Sequence, residues 1–170
     1  MKADLGKLVA ATVGVGVCLL ALTAWGLPTS GSAPGLDLRL IVAPPGELTV
    51  DPAGVLASAR AMQAGDDPAE GVIEVRNIAG RPLLVRPVAL PSVNGLARTV
   101  RLRSTAGGRT LAAGTLVSLE APRGPGVEIP ARASRQIEVS AWLPAEASGY
   151  RGRILDVMLE LRSRPIGPAR

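Results

Sequence analysis

From Leu36 onward the chain is a series of short apolar runs, each closed by Gly or Pro. Leu36, Leu38 and Leu40 alternate with Asp37 and Arg39, the period-two pattern of a half-buried strand. Further strands read in the run Glu70–Arg76, which carries Val72, Ile73 and Val75 and ends at Asn77, and in Leu83–Leu90, where Pro87 marks an edge or a bulge. In Arg98–Arg103, Val100 and Leu102 point inward and Arg101 and Arg103 outward. Thr110–Leu119 is interrupted by Gly114, and Ser134–Leu143 turns Ile137, Val139 and Ala141 inward. Arg153–Arg162 puts Leu155, Val157, Leu159 and Leu161 on one face. Residues 55–63 read equally well as a short helix or a strand, and the Pro- and Gly-rich stretch 122–130 reads as loop. No stretch outside residues 8–28 holds a sustained 3.6-residue period. The sequence therefore predicts an all-β domain over residues 36–164, an immunoglobulin-like or jelly-roll-like β-sandwich of about seven strands. The tail 165–170 is expected to be disordered.

The core of such a domain has to be aliphatic. The chain has no Phe, and its only large rings are Trp25, Trp142 and Tyr150. Its size is enough to bury a core without a metal or a disulfide. The single cysteine, Cys18, lies in an apolar run, so the domain has no disulfide.

That run is the second organising feature. Lys2 and Lys7 precede an uncharged stretch from Leu8 to Pro28, about 20 residues, near the length that spans a bilayer as a helix and longer than an ordinary signal-peptide core. Residues 1–27 are thus expected to be a hydrophobic export helix, as either a signal peptide or a membrane anchor through residues 8–27. Gly31 and Ala33 resemble a cleavage site but Pro34 follows them, and a cut after Ala24 places the bulky Leu22 where a small residue is wanted. Both outcomes stay open. Positive charge ahead of the run places the N-terminus inside and the rest outside. Val17, just before Cys18, is too bulky for a lipidation signal. Residues 28–35 (PTSGSAPG) read as a flexible linker.

Charge excludes one class of partner. The formal net charge is +5, every cation after Lys7 is Arg, and acids are interleaved at Glu70, Glu74, Glu120, Glu128, Glu138, Asp156 and Glu160. Dispersed charge without aromatic platforms argues against nucleic acid.

The chain has no His, which removes the commonest general base and metal ligand and excludes Ser-His-Asp and Cys-His catalysis and histidine zinc sites. No catalytic, cofactor-binding or metal site is expected. Asp66 and Asp67 read as turn residues, with a weak calcium site as the alternative. Gly107-Gly108 and Gly124-Gly126 lack the Lys and Ser/Thr of a phosphate loop and read as turns. Arg101, Arg103 and Arg109 form either a basic strip or, more simply, a solvated strand face.

The order of these elements resembles the camelysin and TasA-like group of bacterial exported matrix proteins. The matching features are the strand Leu36–Leu40, the turn Ala64-Gly65-Asp66, Val72–Asn77, Gly114-Thr115-Leu116 with Leu119, the turn from Pro130 to Ser134, Ile137–Pro144, and Tyr150-Arg151-Gly152. The resemblance implies a sandwich at the cell exterior that in some members assembles into fibres by strand donation, with Leu36–Val50 as the donor here. Peptidase activity, described for camelysin-like members, does not carry over to a chain without histidine.

Two functions follow as expectations. One is an exported, non-catalytic structural or assembly protein of the bacterial cell surface or extracellular matrix, partnered by itself or another surface protein. The alternative is a membrane-anchored β-sandwich module that binds a protein or cell-wall partner.

Overall fold

The computed structural model describes residues 35–43, 46–91, 95–122 and 124–167. The expected export helix 1–27, Cys18 and all of the linker except Gly35 lie outside the described residues.

The chain from Leu36 forms a β-sandwich of two five-stranded sheets. Among the described residues ten strands follow in order: β1 (Leu36–Ala43), β2 (Leu48–Asp51), β3 (Gly54–Met62), β4 (Ala69–Asn77), β5 (Leu83–Ala89), β6 (Arg101–Ala106), β7 (Arg109–Thr115), β8 (Val127–Ile129), β9 (Ser134–Trp142) and β10 (Ile154–Pro165). Sheet 1 has the order β3-β1-β10-β5-β8 and sheet 2 the order β2-β4-β9-β6-β7. Single 3-10 turns occur at Gly95–Arg98 and Val117–Leu119.

The count exceeds the expected seven for three reasons. The ambiguous stretch 55–63 is strand β3. Val127–Ile129, inside the expected loop, pairs with Leu83–Val85 as β8. The four-residue β2 is too short to announce itself by alternation. The expected tail also begins inside a strand: Pro165 pairs with Leu83, and the Ile166 N–H donates to the Pro82 carbonyl at 3.1 Å. Pro87 sits where β5 is open on one side, because β8 reaches only as far as Val85.

Alternation sets the core. Leu36, Leu38, Leu40 and Val42 of β1 and Leu155, Val157, Leu159 and Leu161 of β10 are all buried, facing Ile73, Val75, Leu102, Ile137 and Val139 of sheet 2. Each such side chain contributes about 1.5–3 kcal/mol by leaving water. The first and last strands lie side by side and parallel, Leu38 against Leu155 and Leu40 against Val157. With β3 on its other flank, β1 is an interior strand of its own sheet. The expected donor segment Leu36–Val50 thus includes a strand already paired on both sides.

Three contacts join the two layers or their ends. Gly71 of β4 leaves room for Leu56 of β3, since a Cβ there would lie 2.5 Å from the Leu56 Cγ. The fully buried Asn77 donates through Nδ2 to the carbonyls of Arg81, Ile129 and Pro130 at 2.8, 3.0 and 3.1 Å, and its Oδ1 accepts from the Ala79 N–H at 2.9 Å. The buried Tyr150 accepts from the Ala64 N–H at 3.1 Å and donates to the Gln63 Oε1 at 3.3 Å. It thereby ties the 63–66 turn to the turn before β10.

The sheet edges are guarded. β2 and β8 are four and three residues long. β3 is interrupted by register shifts against β1 and ends near Ala61, a non-Gly residue at φ 51. At β7, Gly124 approaches the Leu111 carbonyl so closely that any Cβ would collide with it. Short, bulged or covered edges resist pairing with another chain.

Candidate functional site

On the outer face of sheet 2, the small Ser140 of β9 lies between Glu70 of β4 and Arg103 of β6, all three in register. In the next row, Glu138 lies between Val72 and Thr105, and the Thr105 hydroxyl donates to the Glu138 Oε2 at 2.8 Å. Beyond Ser140 along β9 stands Trp142. Strands are about 4.8 Å apart, so Glu70 and Arg103 flank Ser140 as two walls roughly 10 Å apart at the backbone.

A trough results because the middle strand presents its smallest outward residue where its neighbours present long ones. Two shallow depressions of about 390 and 430 Å³ share Glu70, Arg103 and Ser140. The second runs past Trp142 to Asp66 and Pro68. The Arg103 guanidinium carbon lies 5.7 Å from the centroid of the Trp142 ring, a diagonal cross-strand cation–π contact that holds the cation beside the trough. Among the described residues, the Glu70 carboxylate makes no ion pair or side-chain hydrogen bond. The trough therefore offers a free carboxylate on one wall, a guanidinium on the other, a hydroxyl between them and an indole at one end. That set can hold a polar ligand in a fixed orientation. No imidazole or thiolate stands beside Ser140 among the described residues.

The residues singled out from sequence distribute plainly. Asp66 takes part in its own turn: its Oδ2 accepts from the Gln63 N–H at 2.7 Å, and its N–H donates to the Gln63 carbonyl at 3.2 Å. It also borders the trough, whereas Asp67 does not. Among the described residues no group of three or more acidic, His or Cys side chains is placed to hold a metal ion. Gly107 and Gly108, at φ 55 and 76, make the turn between β6 and β7. Arg101 and Arg103 share the outward face of β6, while Arg109 begins β7 opposite Ala106, so the three do not form one strip at the trough.

Sequence reading did not name Glu70, Ser140 or Trp142 as a site. The signal for two of them was present: once Ile137, Val139 and Ala141 point inward, Ser140 and Trp142 must point outward. An outward Trp on a face otherwise polar was the available clue. No protein-family model and no curated protein matches the chain.

Proposed function

We propose that this chain is a non-catalytic binding module of the bacterial exterior, carried across the membrane by residues 1–27, that engages a protein or cell-wall partner through the trough on sheet 2. The observation that carries the reading is the row Glu70–Ser140–Arg103 beside Trp142, where opposite charges face each other across an open channel without neutralising one another. Groups so placed are oriented for an outside ligand, and the Arg103–Trp142 contact lowers the entropy lost on binding. The other expectation, a matrix subunit assembling by strand addition, draws less support from these edges, because each is short, bulged or covered.

The test uses the full chain carrying Trp25→Phe, so that Trp142 is the sole indole, titrated with purified cell-wall sacculi and with solubilised surface proteins. Binding should shift the Trp142 emission, and Arg103→Ala or Glu70→Ala should weaken it at least tenfold without changing thermal stability. Binding unaffected by either substitution would place the contact elsewhere. Formation of large polymers by the exported protein would favour the assembly reading instead.

A further inference from the structure

Sheet 1 also has an outer face, and its pattern differs from that of sheet 2. One row crosses it as an apolar band: Val55 of β3 is in register with Ile41 of β1, which is in register with Met158 of β10. The Leu90 N–H donates to the Met158 carbonyl at 2.9 Å, which extends the row to the end of β5. Val55 and Met158 are 55% and 42% exposed, so the band is open rather than core. The adjacent row is charged. Arg39 is in register with Asp156 and binds it through both nitrogens of its fork, Nε to Oδ1 at 2.7 Å and Nη2 to Oδ2 at 2.8 Å.

We infer that this face binds a second copy of the same chain about a twofold axis that runs parallel to the strands, between β1 and β10. β1 and β10 are parallel and in register, so such an axis sets each β1 residue opposite its own β10 register partner in the other copy. Ile41 then meets the partner's Met158, and Met158 the partner's Ile41. Val55 meets the partner's Leu90. Arg39 meets the partner's Asp156, so every guanidinium in that row faces a carboxylate and two in-chain pairs become one four-charge cluster. No like charges are opposed in these two rows. At the two ends of the face Asp37 meets Ile154 and Ala43 meets Glu160, positions that lie at the solvated rim.

A twofold running along β1 or along β10 lacks this property, because it would set Arg39 on Arg39 or Asp156 on Asp156. The parallel pairing of the first and last strands is what makes the face self-complementary. The area is modest. The four strands that overlap about this axis, β3, β1, β10 and β5, span about 19 Å, and the eight residues of β1 about 26 Å. That is about 500 Å² per partner, the scale of a small reversible interface, below the roughly 800 Å² of a standard one. The apolar band lies near the centre with charge beside it, the arrangement of ordinary interfaces. This inference is independent of the trough, which lies on the opposite sheet.

The experiment is sedimentation of the purified full chain in a density-matched neutral detergent, with four proteins run singly and one equal mixture. The native chain should show a concentration-dependent dimer. Met158→Glu, at an exposed site, should weaken it at least tenfold while leaving the melting temperature close to native. Arg39→Asp and Asp156→Arg each oppose like charges across the axis, so each alone should be monomeric. Mixed in equal amounts they should dimerise again, since the Asp at 39 and the native Asp156 of one copy then face the Arg at 156 and the native Arg39 of the other. A dimer that survives Met158→Glu arises elsewhere, including residues 1–34, and would overturn the inference. So would a native chain that stays monomeric, or a mixture that fails to re-associate while both variants remain folded.

Discussion

The side-chain amide of Asn77, at the end of β4 in sheet 2, donates to the backbone carbonyl of Ile129 in β8 of sheet 1 at 3.0 Å. Asn77 is fully buried, and the same nitrogen also reaches the carbonyls of Arg81 and Pro130. One side chain thus satisfies carbonyls of two different loops and holds the three-residue β8 against the sandwich. Asn77→Ala should take this donor from the Arg81 and Ile129 carbonyls and the acceptor from the Ala79 N–H, while the Pro130 carbonyl keeps the Ala133 N–H at 3.2 Å, and cost about 2–4 kcal/mol, measured by urea unfolding. Asn77→Asp should be worse at neutral pH, because in the buried carboxylate the oxygen replacing Nδ2 would face three carbonyl oxygens, with only the Ala79 N–H facing the other. Such a carboxyl would have a raised folded-state pKa, so its folded form is favoured when protonated: stability should recover as pH falls and be lost as pH rises through that pKa. A pH-independent Asn77→Asp would show that the carbonyl cage is not formed.

Gly71 and Leu56 fit each other across the two sheets. A Cβ at position 71 would sit 2.5 Å from the Leu56 Cγ and 2.9 Å from its Cδ1. Gly71→Ala should therefore destabilise by about 1–3 kcal/mol through overpacking. In the Leu56→Ala background the same change should cost much less, and a double-mutant cycle reads the difference. Additive costs would mean that the strain has another origin.

Ser104 carries a buried hydroxyl without a hydrogen-bond partner among the described residues. It lies inward on β6, opposite Ala112 and Val139. Ser104→Ala removes a desolvated polar atom and creates little space, so it should leave stability unchanged or raise it by up to about 1 kcal/mol. Loss of more than that amount in a thermal melt would reveal a bond formed by the hydroxyl.

Tyr150→Phe should cost about 1–2 kcal/mol, because the Ala64 N–H would lose its acceptor while the ring stays packed. Amide hydrogen exchange should locate the loosening at residues 63–66 and leave β9 protected.

The outward pair Arg39–Asp156 offers a contrast. The hydrogen bonds that the Arg39 guanidinium donates to the Asp156 carboxylate, then the carboxylate's charge, raise the pKa of that guanidinium, but the pair stands in water. Breaking it by Arg39→Gln should leave the unfolding midpoint of the isolated molecule close to native. The chemical melt of the monomeric form checks this.

Alternation alone determined much of this molecule. The inward faces of β1, β6, β9 and β10 follow from residue parity, because successive strand residues must point to opposite sides of a sheet. For the same reason Trp142 and Arg103 were bound to be outward, and the frequent Gly and Pro confined the chain to short strands. The turn role of Asp66 was legible too, since it depends only on neighbours three residues away. What the sequence left open is everything set by pairing between distant segments. Nothing local places β1 beside β10, or recruits Val127–Ile129 from a Pro- and Gly-rich stretch as an edge strand of sheet 1. The trough exists only because β4, β9 and β6 are adjacent and in a register that aligns Glu70, Ser140 and Arg103, residues far apart in the chain. The apolar band on sheet 1 has the same origin. Register between strands is chosen by how the two inner faces fill one core, and that choice, made by the whole domain at once, decided which outward side chains became neighbours.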